Sequence, residues 1–229
     1  MTLLRRYLGE RHRLFLWTLL TVGGGAAALT RFETELAAYA DRPVLIGAAA
    51  GLWLVGVLIV RRRERRAWRR LVADTPFEPQ HDGDVRRPPL QRSLKGNTIT
   101  AEPVGRGRVR QNGIRVEAIV DGVTEPIDVS ITYVGSEAEG RGVRTGNDAL
   151  DEQFVFEVDA GSNLGEVFDA EVQSALMDVS IPGTLRIEQQ SVRYDIPFTR
   201  VRPDELGTVS KTVATVAARL DHLVAIGHR

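Results

Sequence analysis

Hydrophobic positions along this 229-residue chain follow three successive rules. Near the N-terminus they are continuous. Leu14 to Thr30 and Val44 to Val60 are each 17 residues without a charge. Both sit at the short end of the about 17–25 residues that cross a bilayer, and they predict two transmembrane helices, 14–30 and 44–60. Both are rich in Gly and Ala. Gly23-Gly24-Gly25 facing Gly47 or Gly51 fits a close helix contact, and equally fits glycine that is merely tolerated.

From about residue 98 the hydrophobic period becomes two, which is the mark of a strand with one wet face. Ile114, Val116, Ala118 and Val120 share one face, and Ile127, Val129, Ile131 and Tyr133 share another. Asp121-Gly122 between them is a turn signal, so the two runs predict an antiparallel hairpin. Thr98–Val104 predicts an earlier strand, and Gln153–Val158 a further one led by Phe154 and Phe156. Leu185 and Ile187, then Val192, Tyr194 and Ile196, predict a last hairpin.

The third rule is helical spacing. Leu164, Val167, Phe168, Val172, Ala175, Leu176 and Val179 recur at three and four. Asn163 with Glu166 resembles a capping box and Asp169 offers a second start, so the helix begins at either place; Pro182-Gly183 ends it. Pro203, followed by Asp204 and Glu205, opens a final helix. Its stripe, Leu206, Val209, Val213, Val216, Leu220 and Leu223, suits packing on the sheet or a short coiled-coil seam. The order of elements predicts an α+β domain over 98–229, mainly antiparallel, with helices on one face. A transmembrane helical hairpin precedes it.

Charge sharpens the division. The net charge is zero, yet residues 1–70 hold 13 basic and 5 acidic residues, net +8, and residues 71–229 hold 17 and 25, net −8. Arg5, Arg6, Arg11 and Arg13 precede the first apolar run, and Arg61, Arg62, Arg63, Arg65, Arg66, Arg69 and Arg70 follow the second. Only Arg31 and Arg42 lie between the runs. The positive-inside rule then predicts a multi-pass protein of the cell membrane, with both termini and the domain cytoplasmic. The rival reading makes residues 1–28 a cleaved signal peptide ending near Ala26-Ala27-Ala28. It leaves the domain on the same side.

The arginine run predicts contact with anionic lipid head groups, with Trp68 resting at the membrane interface. Nucleic acid is not an expected partner, because the domain that follows is acidic. Residues 71–97 hold Pro76, Pro79, Pro88 and Pro89 and read as a Pro-rich linker. His81-Asp82-Gly83-Asp84 within it reads as a solvated turn. Lysine is nearly absent, with Lys95 and Lys211 the sole examples, which together with the acidic domain fits a GC-rich, salt-loving archaeal source.

Chemistry is sparse. Without cysteine there are no disulfides, thiolate metal sites or cysteine nucleophile. Gly-x-Ser-x-Gly and His-Glu-x-x-His are absent, and the Gly-Arg-Gly triplets at 105–107 and 140–142 lie in polar loops. His12, His81, His222 and His228 have no catalytic setting, and no metal or cofactor is expected. Asp148, Asp151 and Glu152 are the acid–base candidates, set against a plain turn with carboxylates in water.

The run Thr145-Gly146-Asn147-Asp148, then Leu150-Asp151 and Phe154-Val155-Phe156, followed by Asp169-Ala170-Glu171-Val172 and Leu176, resembles a family of membrane-anchored prokaryotic proteins of unknown function. That family has a T-G-D-x-x-F-D-x-x-F-x-V strand entry, a helix, a short hairpin and a terminal helix, often behind one or two spans. The resemblance covers roughly 145–225. Here Asn147 precedes the first acidic position and Leu150 replaces the usual Phe. It implies the same architecture and transfers no catalytic residue. The resulting expectation is an interaction or regulatory module held at the membrane. Its partners would be the bilayer and a membrane protein or second copy, met through the final helix or a sheet edge. An enzyme acting through residues 148–152, and a lipid-sensing module, are the alternatives.

Overall fold

A computed structural model of the protein describes residues 42–80, 87–106, 111–121, 128–133, 142–158, 164–188, 190–197 and 201–227. The chain divides into two units at Arg66/Ala67. The expected first span, its connection to the second and the signal-peptide alternative lie outside the described residues, as does the His81–Asp84 turn.

Helix α1 is Arg42–Asp74, 33 residues long. Pro43 is tolerated in its first turn, where no helical N–H is lost. Its last turn closes on the Thr75 hydroxyl, which donates to Leu71 O at 2.6 Å, and Pro76 prevents continuation. The apolar run expected to end at Val60 therefore continues as helix through all seven arginines. Among the described residues, no helix is long and apolar enough to cross a membrane. That finding overturns the multi-pass assignment, and the placement of termini and domain that depended on it. The longest charge-free run of α1, Pro43 to Val60, is 18 residues, and the helix then runs directly into Arg61. The orientation argument loses its premise without two spans.

The second unit is an α+β domain. Its sheet has eight strands in the order β1-β2-β3-β4-β8-β7-β5-β6, every adjacent pair antiparallel. They are β1 (Glu78–Pro79), β2 (Leu90–Leu94), β3 (Asn97–Arg106), β4 (Gln111–Ile119), β5 (Asp128–Tyr133), β6 (Phe154–Val158), β7 (Thr184–Glu188) and β8 (Ser191–Ile196). The helices are α2 (Asp148–Asp151), α3 (Leu164–Val167), α4 (Ala170–Met177) and α5 (Pro203–Gly227).

Two expectations about this sheet are corrected. Strands β4 and β5 do not pair with each other. Strand β4 lies between β3 and β8, and β5 between β7 and β6. The β7–β8 hairpin is inserted between them. Residues 71–97 are also more than a linker. Phe77 and Leu90 are buried, β1 pairs with β2, and β2 forms a hairpin with β3. Lys95 and Gly96 supply its two-residue turn with φ of 51° and 84°, the left-handed pair that a tight hairpin needs. Proline is accepted here because β1 is an edge.

Alternation decides which face is dry. Ile99, Ala101, Ile114, Val116, Ala118, Val192, Tyr194, Ile196, Leu185, Ile187, Val129 and Ile131 are all buried on one side. The register aligns them across strands, as in Val116↔Tyr194↔Leu185. The opposite side carries ion pairs. Arg115 Nε lies 2.9 Å from Asp195 Oδ1, and Arg193 Nη2 lies 2.6 Å from Glu188 Oε1.

Helix α5 packs on the dry face, with α4 beyond it. Arg202 and Glu205 set its start: the Arg202 backbone N–H donates to Glu205 Oε2 at 2.8 Å. Leu206, Val209, Val213, Val216 and Leu220 are buried, but so are Ser210, Thr212, Ala214, Thr215 and Ala217. Thr212 Oγ1 donates to Ala175 O of α4 at 2.8 Å. The helix is thus covered around its middle. Its stripe is domain core and is not free for the docking role expected of it. The two starts read for the preceding helix both occur, as α3 and α4. Asp169 caps the second by accepting from Glu171 N and Val172 N.

Tyr194 sits at the middle of this core. Its hydroxyl donates to Ile181 O at 2.8 Å, and a Cβ added at Gly183 would lie 2.1 Å from its ring. Burial, with a smaller contribution from Tyr133, pushes the Tyr194 phenol far above its ordinary value. The folded protein therefore holds this proton at pH values where the unfolded chain has released it. Stability should fall as pH rises above about 10, by about 1.4 kcal/mol per unit from this group. Tyr194→Phe should cost about 1–2 kcal/mol at pH 7 and flatten that alkaline decline, measured by urea denaturation across pH. Gly183→Ala should cost about 3 kcal/mol in the same assay, because the ring has nowhere to move.

Candidate functional site

The carboxylates singled out above lie in a short segment that leads into edge strand β6. Gly142 begins the described part. Its φ is +75°, and a Cβ there would lie 2.5 Å from Phe156 O, so only glycine permits the approach. Val143 N–H then donates to Phe156 O at 2.8 Å, which covers part of the β6 edge. Thr145 follows, and its backbone N–H and hydroxyl both donate to Asp151 Oδ1, at 3.0 and 2.9 Å. The same hydroxyl accepts from Asn147 N–H at 3.2 Å. Asp151 therefore closes a seven-residue latch, Thr145 to Asp151, around α2.

The latch is fastened at two more points. Leu150 is fully buried. The Asn147 side chain donates to Gln173 Oε1 of α4 at 2.9 Å, and Gln173 Nε2 donates to Phe168 O at 2.9 Å. Local sequence explains the geometry: Gly146 takes a φ of +83° that reverses the chain just before α2.

Asp148 and Glu152 are exposed, and Asp151 is half-buried and already engaged. These are different surroundings for the three carboxylates. The second oxygen of Asp151 is buried without a hydrogen-bond partner. Among the described residues, no group of three or more His, Asp or Glu is placed to hold a metal ion. Open grooves lie along β1–β2, about 660 Å³, and over the ends of β3 and β4, about 550 Å³. Neither is lined by any of the three carboxylates.

The arginine run presents a different arrangement. Arg62, Arg63, Arg66, Arg69 and Arg70 are exposed and Arg65 is half-buried. The side chain of Arg61 lies outside the described residues. Trp68 is corrected: only 4% of it is exposed, and its indole N–H donates to Pro88 O at 3.3 Å. With Leu71, 3% exposed, it belongs to the core of the domain and not to a membrane interface. The helical spacing of Trp68 and Leu71, with Phe77 and Leu90 further on, was the available signal. The adjoining arginines obscured it.

The preceding turns of α1 hold a cluster of exposed apolar side chains. Leu52, Trp53, Leu54, Val55, Leu58 and Ile59 range from 44% to 57% exposed. At 3.6 residues per turn these six positions surround the helix instead of forming one stripe. Among the described residues, a Cβ added at Gly47 or Gly51 would meet nothing within 4 Å, and the Gly23–Gly25 side of the expected contact lies outside those residues.

No protein-family model matches the chain, and no curated protein matches it. Among solved structures, the crystal structure of the mycobacterial trehalose monomycolate transport factor A, TtfA, aligns with a TM-score of 0.41 and 13% identity. The alignment covers 69% of this chain and 93% of that one. A likeness at this level carries no argument about function.

The latch makes a specific prediction for the three carboxylates. Asp151→Ala should lower stability by about 2 kcal/mol, because it strands the Thr145 donors. Asp148→Asn and Glu152→Gln should each change it by less than about 0.5 kcal/mol. Urea denaturation monitored by tryptophan fluorescence reads all three. Equal effects at the three positions would refute the latch.

Proposed function

We propose that this chain is a non-enzymatic interaction module held at a membrane surface by α1, which carries the α+β domain there. The observation behind the reading is the group of exposed apolar side chains Leu52, Trp53, Leu54, Val55, Leu58 and Ile59. A helix that is apolar on all sides needs an apolar surrounding. Six side chains, each about half exposed, leave on the order of 5 kcal/mol of unused burial. That corresponds to a preference of between three and four orders of magnitude, roughly, for a surface that covers them. The reading concerns association with the surface, and assigns no crossing and no side.

The domain contributes a scaffold. Its stiff sheet, buried α5 and latched β6 edge support a role in presentation. The engaged Asp151 and exposed Asp148 and Glu152 offer no converging chemistry in favour of an enzyme. Kinship with the membrane-anchored family that residues 145–176 resemble is part of the proposal. It is supported by structural work for the matching residues: Thr145 and Asp151 in the latch, Leu150, Phe154 and Phe156 in the core, and Asp169 at a helix cap.

Fractionation of cells expressing the full chain tests the reading. The protein should sediment with membranes and be released by mild detergent. The pair Leu54→Asp and Leu58→Asp should shift most of it to the supernatant, with the melting temperature of the domain unchanged. Wild-type protein recovered in the supernatant would rule the reading out.

A further inference from the structure

The membrane-surface reading leaves open which lipids α1 meets, and the arginines that follow its apolar stretch address this. Arg62, Arg63 and Arg66 are exposed. In a helix they occupy an arc of about 100° on one side. Among the described residues, none of the three takes part in an ion pair. Their charge is therefore uncommitted. They lie three to seven residues beyond Ile59, the last described residue of the exposed apolar stretch. At 1.5 Å per residue, that is about 4.5–10 Å of helix axis. The polar head-group layer of one leaflet is about 5–8 Å thick.

We propose that Arg62, Arg63 and Arg66 bind the phosphates of anionic lipid head groups, at the boundary where the apolar stretch of α1 meets water. This rests on the membrane-surface reading and adds the chemistry of the surface. Guanidinium is suited to the task. Its planar fork donates two parallel hydrogen bonds to a phosphate, which an ammonium does not do. A nucleic acid has the same phosphate chemistry but suits the site less well. It offers nothing to cover Leu52–Ile59, and its long backbone would run against a downstream chain with 25 acidic and 17 basic residues.

The test uses the full chain, exchanged from mild detergent onto vesicles of phosphatidylcholine alone or an equal mixture with phosphatidylglycerol. Sedimentation reads binding. The wild type should prefer the anionic vesicles by roughly 100-fold, about fivefold for each arginine, which is about 1 kcal/mol apiece. Replacing all three (Arg62→Gln, Arg63→Gln and Arg66→Gln) should abolish that preference while keeping the binding to neutral vesicles. The three Lys replacements should retain only part of it, because an ammonium keeps the charge but not the paired hydrogen bonds. Circular dichroism should show every variant folded.

Equal wild-type binding to both vesicle types overturns this inference and leaves the surface reading standing. Binding to neither overturns both. A preference that survives the Gln variants removes the assignment to these three arginines. Tighter binding to a mixed-sequence DNA duplex than to anionic vesicles overturns it in favour of nucleic acid.

Discussion

Tyr194 must hide a hydroxyl at the centre of an apolar layer, and much of the domain is arranged around how it does so. The ring lies in the core row that runs from β4 through β8 to β7. Its hydroxyl needs a partner within that layer, because an unpaired buried donor costs about as much as a lost core methylene or more. Ile181 supplies the acceptor from the segment that leads into β7. Gly183 supplies the space, since any side chain there meets the ring. The same Gly183 offers its carbonyl to Tyr133 N–H of β5 at 3.0 Å. One phenol thus ties together β8, the approach to β7 and the neighbouring β5. The two halves of the sheet meet at this place.

A second constraint acts at the far edge. Strand β6 ends the sheet, and an open edge invites pairing with another chain. Gly142 and Val143 lie against it, and the Thr145–Asp151 latch holds that segment in place. The carboxylate is therefore valuable for its lone pairs at a turn. A sequence pattern with acidic residues at fixed spacing and a neighbouring strand reads equally well as chemistry or as carpentry. In the folded domain both donors of Thr145 occupy one oxygen of Asp151, which gives that carboxylate a structural task at the turn.

The elements were legible in the sequence to different degrees, and for physical reasons. Strands announce themselves by alternation, so β3 to β8 and their inward residues could be read directly. Partnership could not, because pairing is a property of the whole sheet. Asp121-Gly122 signals a turn, but no local pattern shows that Val192 and Ile187 will stand between Ala118 and Val129. Composition misled in residues 71–97, where four prolines conceal Phe77 and Leu90, both of which belong to the buried core. The arginines hid Trp68 in the same way. A helix can be polar on one side and anchored on the other, and a run of letters read without its phase loses that distinction. At the candidate sites, the carboxylates were found but their engagement with Thr145 was not, since a hydroxyl six residues away leaves no periodic trace.

The insertion of β8 between β4 and β7 has a consequence in time. On the ribosome, β2, β3 and β4 emerge together and can pair at once, but the partner that completes β4 is made roughly 70 residues later. At about 5–20 residues per second, one flank of β4 is exposed for several seconds in every molecule synthesised. Arg115 and Glu117 project from that strand as charged interruptions between Ile114, Val116 and Ala118. Such charges hinder self-association of a waiting strand. Arg115, which later pairs with Asp195 across the finished sheet, is thus also in place to guard the nascent chain.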